Sequence, residues 1–141
     1  MDESRQQRWL RAVLLLGGLY FAIGLIFGTL AGSVSSDQMR ITWRLLAWLF
    51  SAIAFAAHIG YEQLQLRRPR VTTAFHAALA VALGTFLLAA ASIIHGQASG
   101  ASHQSRRALA LVLWPILAAL PAFVVALGSA TALSLRRRGR T

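Results

Sequence analysis

Three ionisable residues lie inside long apolar stretches of this sequence: His58, Glu62 and His76. Charged groups are costly to bury in apolar surroundings, so residues of this kind are candidates for a functional site. His58 and Glu62 are four residues apart, which places them on one face of a helix. Imidazole and carboxylate groups can form an ion pair, transfer a proton or bind a metal ion. His76 lies on the next apolar stretch, and the three side chains can meet if the two stretches form a hairpin.

Three interpretations of this group of residues are open. In the first, which we favour, Glu62 pairs with a histidine or an arginine and holds two helices together. In the second, the group lines a path for protons or a substrate. In the third, the histidines bind haem or a metal, but haem requires two histidines at matched depth on facing helices, and His58 and His76 are matched only approximately. We therefore expect no cofactor and no metal.

The elements that must position these residues are four apolar stretches, at roughly 12–32, 45–66, 71–94 and 109–135. Each has about 20 residues or more, and at about 1.5 Å per residue a helix of that length crosses a hydrocarbon core of about 30 Å. Apolar residues make up 57% of the chain and charged residues 13%, against about 45–50% and 25% in soluble domains. We therefore predict an all-α integral membrane protein, a four-helix transmembrane bundle forming a single domain over residues 1–141.

Arginines at the ends of these stretches predict the orientation of the bundle. Ten flank the amino terminus, the second connection and the carboxyl tail, against four at the first and third connections. Because cytoplasmic loops carry the excess of positive charge, we expect both termini to be cytoplasmic. The larger set is Arg5, Arg8, Arg11, Arg67, Arg68, Arg70, Arg136, Arg137, Arg138 and Arg140, and the smaller set is Arg40, Arg44, Arg106 and Arg107.

The net charge of +10 also bears on the partners of this protein. In a soluble chain it would suggest nucleic-acid binding. Here the arginines lie at helix ends, where they set topology and contact lipid headgroups, so we expect the lipid bilayer as a partner and no nucleic acid. All 14 basic residues are arginine, which suggests a GC-rich bacterial genome and hence the cell inner (cytoplasmic) membrane.

The connections between the stretches contain turn-forming residues. Pro69 cannot continue the second helix, and it biases the residue before it away from helical geometry. We therefore predict that the second and third helices form a tight antiparallel hairpin, in which Glu62 and His76 can meet. Asp37 is the expected cap of the second helix, and small polar residues over 96–102 predict a flexible loop.

Glycines on the first helix predict a close contact between helices. Gly24, Gly28 and Gly32 are four residues apart, so they share one face and form a groove without side-chain bulk. Small residues at this spacing let two helix backbones approach closely in lipid. We expect the groove to pack against another helix of the same bundle, with an interface between subunits as the alternative.

A cleaved secretory signal peptide is the alternative interpretation of the first helix. A signal peptide and a retained membrane helix would each have a basic start and an apolar run, and the small residues near 29–32 resemble a cleavage site. The apolar run here has about 20 residues, which exceeds the ~7–15 of a signal core. We therefore expect the helix to be retained.

The sequence says less about function than about fold. The chain has no cysteine, no glycine-rich phosphate loop and no nucleophile elbow, so we do not expect an enzyme. Its size and layout are similar to those of small multidrug transporters, but that family depends on a glutamate in the first helix, where this chain has no charge beyond Arg11. We expect a structural or accessory membrane subunit that acts through helix–helix contacts, with itself or with other membrane subunits. The alternative is a small oligomeric transporter or channel that uses His58, Glu62 and His76.

Overall fold

The computed structural model describes residues 3–66, 68–98 and 104–138, and over that part of the chain it consists of four α-helices. They are α1 (Glu3–Ser33), α2 (Asp37–Leu64), α3 (Arg70–Ala98) and α4 (Gln104–Arg138). Each contains a segment that is long and apolar enough to cross a membrane, at Trp9–Ser33, Asp37–Leu64, Arg70–His95 and Leu111–Leu135. The predicted all-α architecture of four helices is confirmed.

The helices run past the predicted apolar stretches at most of their ends. For example, α1 begins at Glu3 rather than near residue 12, and α2 begins at Asp37 rather than near residue 45. Backbone hydrogen bonding continues into the polar flanks because capping and turn residues, not hydropathy, set a helix end. The loop predicted over 96–102 overlaps the end of α3, and its part from residue 99 onward lies outside the described residues.

The start of α2 differs from the prediction in its capping residue. Ser36, not Asp37, is the N-cap: its backbone is extended, and its Oγ accepts a hydrogen bond from the Met39 N–H at 3.5 Å. Asp37 is instead the first residue of the helix, and its Oδ1 pairs with Arg40 Nη1 at 2.9 Å. The predicted cap was therefore wrong by one residue, because the serine before the aspartate has the side chain and the extended backbone that capping requires.

The turn between α2 and α3 follows the prediction. Helix α2 ends at Leu64, and α3 begins directly after Pro69, whose carbonyl accepts a hydrogen bond from the Thr73 N–H at 3.1 Å. The Arg68 N–H donates to the carbonyl of Glu62 at 3.3 Å, which folds the turn back onto α2. The chain thus reverses direction at this turn, and the polar residues of the two helices lie at the same end of the bundle.

Helix α3 occupies the centre of the bundle. It contacts the other three helices, most extensively α4 and α1 and less extensively α2, whereas α1 and α4 make no contact within their described residues. Helices α1 and α3 run parallel, since Trp9 lies against His76 and Gly17 faces Leu83. We call the end that carries the start of α1 and the α2–α3 turn the proximal end. The end that carries the α1–α2 connection is the distal end.

Gly84 is the residue that lets α1 and α3 approach closely. A Cβ added to Gly84 would lie 2.6 Å from Cβ of Tyr20 and 3.1 Å from the carbonyl oxygen of Gly17. Both of these atoms belong to or adjoin the backbone of α1, so a larger residue could fit only if a helix moved. Close backbone approach at glycines is a general means of helix association in lipid.

Small residues fill the interior of the bundle, and large apolar residues face outward. Five alanines have no exposed surface: Ala74, Ala77, Ala80, Ala126 and Ala130. In contrast, Trp48 is 78% exposed and Leu15 is 76% exposed. So many exposed large apolar side chains would be unfavourable in water, whereas helices in lipid associate through small residues and leave large apolar ones to the lipid. This distribution is the one expected of membrane helices.

Candidate functional site

The three ionisable residues singled out from the sequence meet at the proximal end of the bundle. We call His58, Glu62 and His76 the polar cluster. Oε1 of Glu62 on α2 lies 2.9 Å from Nδ1 of His76 on α3, and 3.9 Å from Nε2 of His58 one turn earlier on α2. All three residues are buried, and Glu62 is only 3% exposed. The predicted meeting of the three side chains across the hairpin is therefore present, with His76 the closer partner of Glu62.

Arg68 competes with Glu62 for the same nitrogen of His76. Its Nη1 lies 3.3 Å from Nδ1 of His76. That ring nitrogen carries either a proton or a lone pair. With the proton it donates to the Glu62 carboxylate and cannot accept from Arg68. With the lone pair it accepts from Arg68, and Glu62 can then bond to it only by donating a proton of its own. The position of one proton thus decides how the cluster is paired.

A second polar contact joins the same two helices beside the polar cluster. Nε2 of Gln63 donates to Oγ1 of Thr73 at 2.9 Å and to the carbonyl of Arg68 at 3.2 Å. Gln63 and Thr73 are buried. The sequence analysis did not single out this pair. Gln63 lies six residues before Pro69 and Thr73 four residues after it, so this pair does not have the equal spacing from the turn that Glu62 and His76 have. Its polar side chains near a predicted hairpin turn are the only signal in the sequence that could have indicated it.

Helix α1 contributes an aromatic ring to the cluster. The rings of Trp9 and His76 are stacked, with centroids 5.3 Å apart and planes 5° from parallel. Stacked aromatic rings contribute about 0.5–1.5 kcal/mol beyond the area they bury, and a protonated imidazole would add a cation–π attraction. Three helices therefore hold His76: its own, α2 through Glu62 and α1 through Trp9.

Two polar atoms of the cluster have no hydrogen-bond partner among the described residues. They are Oε2 of Glu62 and Nε2 of His58, and the hydroxyl of Tyr20 on α1 is a third buried atom of this kind. An unpaired buried polar atom costs about 1–3 kcal/mol. Within the described chain, however, no group of three or more His, Cys, Asp or Glu side chains is arranged to hold a metal ion. The free atoms are therefore suited to hydrogen bonding or proton transfer.

The glycines predicted to form a helix-packing face have different surroundings. A Cβ added to Gly24 would overlap the Leu88 side chain of α3, whereas one added to Gly28 or Gly32 would meet no described atom within 4 Å. The predicted contact inside the bundle is therefore made at Gly24 and is absent at the other two. In this region the large ring of Phe27 packs against aromatic rings of α2, so the contact between α1 and α2 is made there by bulky side chains and not by these two glycines.

No protein-family model, curated protein or solved structure matches this chain.

Proposed function

We propose that this protein is a multi-pass protein of the cell inner membrane with both termini in the cytoplasm. Four sufficiently long apolar helices and their outward-facing apolar side chains support insertion. The split of arginines, ten against four, supports the orientation, although Arg67 and Arg140 of that set lie outside the described residues. Helix α1 is retained in this proposal, because its Trp9 and Gly17 contact α3.

Within the membrane, the protein acts as a structural or accessory subunit through helix–helix contacts. The observation that carries this proposal is the buried contact between Oε1 of Glu62 and Nδ1 of His76, which are 2.9 Å apart. The ring of Trp9 on α1 stacks on His76 and so joins a third helix to this contact. A contact enclosed in this way fastens helices to each other. Helix α4 packs mainly against α3 and leaves large apolar side chains such as Trp114 and Val124 exposed. Those side chains are available to a further membrane subunit or to a second copy.

A double-mutant cycle tests the fastening role. Polar contacts between membrane helices average about 0.6 kcal/mol and reach about 1.7 kcal/mol, so Glu62→Gln should lower the free energy of unfolding by around 1 kcal/mol. Glu62→Gln combined with His76→Gln should cost less than the sum of the two single changes, because the second change removes a contact that is already lost. Unfolding in mixed detergent micelles, followed by circular dichroism, provides the measurement.

The matched control is the same cycle between Glu62 and His58. These side chains are 3.9 Å apart, beyond hydrogen-bond distance, so their coupling should be smaller. Strict additivity in both cycles would mean that neither contact contributes to stability, and the fastening role would be refuted.

The second candidate function is proton-coupled transport. It is favoured by the unpaired Oε2 of Glu62 and Nε2 of His58, and by the single nitrogen of His76 that Glu62 and Arg68 both approach. Proton flux in proteoliposomes, reported by an enclosed pH-sensitive dye, distinguishes the two functions. Transport requires a flux in the native protein that Glu62→Gln abolishes while the helical fold persists. We expect the stability loss without a native flux, as the structural role requires.

A further inference from the structure

A groove separates the distal halves of α1 and α2. It has a volume of about 580 Å³, within the range of about 300–1,000 Å³ found for small-molecule sites. Its lining includes Gly28 and Gly32 of α1, the aromatic rings of Phe27 and Trp48, and the side chains of Arg40 and Arg44 on α2. The polar cluster lies at the other end of the bundle and takes no part in it.

The floor of this groove is open because it is made of glycine. A Cβ added to Gly28 or Gly32 would reach no described atom within 4 Å, so neither α2 nor any other described part of the chain fills the space. Phe27 packs against Trp43 and Phe50 of α2, with ring centroids 6.0 and 5.5 Å apart, and this contact keeps the two helices separated. The result is an open groove whose lining combines glycine and aromatic residues with two arginines.

The mouth of the groove carries two positive charges. Arg40 and Arg44 are four residues apart and so lie on the same face of α2. Arg40 pairs with Asp37, but the two side chains are 40% and 88% exposed, and exposed ion pairs contribute only about 0–1 kcal/mol. Arg44 has no ion pair or hydrogen bond with any described residue. The groove thus combines two cationic side chains with aromatic and glycine residues, and this combination is complementary to an anionic amphiphile.

We infer that this groove binds an anionic phospholipid. Arg40 and Arg44 hold the phosphate, and one acyl chain lies over Gly28 and Gly32 between Phe27 and Trp48. Arg40 belongs to the first turn of α2, at the end of its apolar segment, where the headgroup region of a bilayer would lie. Basic pockets between membrane helices are a recognised form of headgroup site. The inference rests on the proposed membrane insertion and does not depend on which side the termini occupy.

A second copy of the chain fits the groove less well. A twofold interface places the same patch of both subunits face to face. Both copies would then bring Arg40 and Arg44 into the shared interface, and like charges repel strongly where water is excluded. The phosphate of a lipid supplies the opposite charge instead.

The test is a lipid titration of the full-length protein in detergent, followed by native mass spectrometry. We expect phosphatidylglycerol to bind more tightly than phosphatidylcholine. Arg44→Gln should weaken the binding of phosphatidylglycerol about fivefold. This factor corresponds to about 1 kcal/mol, the contribution of one basic residue at a lipid surface. Gly28→Leu should weaken the binding of both lipids, because the leucine side chain fills the groove.

Two variants outside the groove are matched controls. Gly128→Leu adds a side chain at a glycine of α4 that also has open space, and it should not change lipid binding. Arg11→Gln removes an exposed arginine of α1 at the proximal end, and it should weaken the binding of phosphatidylglycerol less than Arg44→Gln does. Circular dichroism of each variant verifies that the fold persists.

Several results would overturn the inference. Equal binding of the two lipids, or unchanged binding after Gly28→Leu, would exclude a phospholipid in the groove. A native dimer that Gly28→Leu dissociates would assign the groove to a second copy, and binding of inorganic phosphate without lipid would assign it to free anions. Release of the protein from membranes by alkaline carbonate would refute insertion itself. If the protein stays in the membrane after this treatment but shows no preference for phosphatidylglycerol, only the lipid site would be refuted.

Discussion

Replacing Gly84 with alanine tests the close approach of α1 and α3 directly. The added Cβ would lie 2.6 Å from Cβ of Tyr20 and 3.1 Å from the carbonyl oxygen of Gly17. The first distance is shorter than any ordinary contact between carbon atoms. Neither atom can move away by side-chain rotation, since one is the first carbon of its side chain and the other belongs to the backbone. The two helices must therefore separate.

The magnitude follows from two opposing effects. Overpacking of this kind costs about 1–3 kcal/mol, whereas alanine in place of glycine within a helix stabilises by about 0.5–1 kcal/mol. Gly84→Ala should therefore lower the free energy of unfolding by up to about 2.5 kcal/mol. Gly28→Ala is the matched control, because its Cβ would meet no described atom within 4 Å. The helix-propensity effect is common to both variants, so their difference isolates the overpacking cost of about 1–3 kcal/mol.

The assay is reversible unfolding in mixed detergent micelles, with circular dichroism as the signal. Gly17→Ala provides an intermediate case, because its Cβ would lie 2.6 Å from the end of the Leu83 side chain, which has freedom to rotate. We expect the order of stability to be Gly28→Ala, then Gly17→Ala, then Gly84→Ala. If Gly84→Ala were as stable as Gly28→Ala, α1 and α3 would not approach closely at this point, and the packing argument would fail.

Three further predictions concern the proximal end and the topology. Trp9→Leu should lower stability by about 0.5–1.5 kcal/mol through loss of the ring stack on His76, whereas Trp48→Leu, at a residue 78% exposed, should have little effect on unfolding in micelles. Thr73→Val should cost around 0.6 kcal/mol by removing an acceptor of Gln63, and Thr72→Val, whose hydroxyl makes no hydrogen bond with a described residue, is its control. Single cysteines replacing Ser4, Ser99 or Thr141, of which the last two lie outside the described residues, should react with an impermeant thiol reagent in intact cells only at 99. Labelling at either terminus would contradict cytoplasmic termini.

The polar cluster could be anticipated because its geometry is mostly local. Glu62 and His76 lie at similar distances from Pro69, and a proline there ends one helix and allows the next to begin. Antiparallel helices leaving a short turn place such residues at the same depth. The sequence could not tell which histidine pairs with Glu62, because a spacing of four residues favours His58 as much as the turn favours His76. The rotation of α3 about its own axis decides this, and it brings Nδ1 of His76 to 2.9 Å.

The sequence by itself determines where the helices form, whereas tertiary packing determines which helices contact each other. Long apolar stretches specify four helices from composition and length alone, since the polar backbone groups of a segment in lipid must satisfy their hydrogen bonds internally. Small residues spaced four apart specify only that a close approach is possible. The sequence alone pointed to Gly24, Gly28 and Gly32, yet in the structure Gly17 and Gly84 make the close crossing and Gly28 faces a groove. Which face meets which neighbour depends on the bulk of residues such as Phe27 on the adjoining helix, and that is decided only when the four helices pack together.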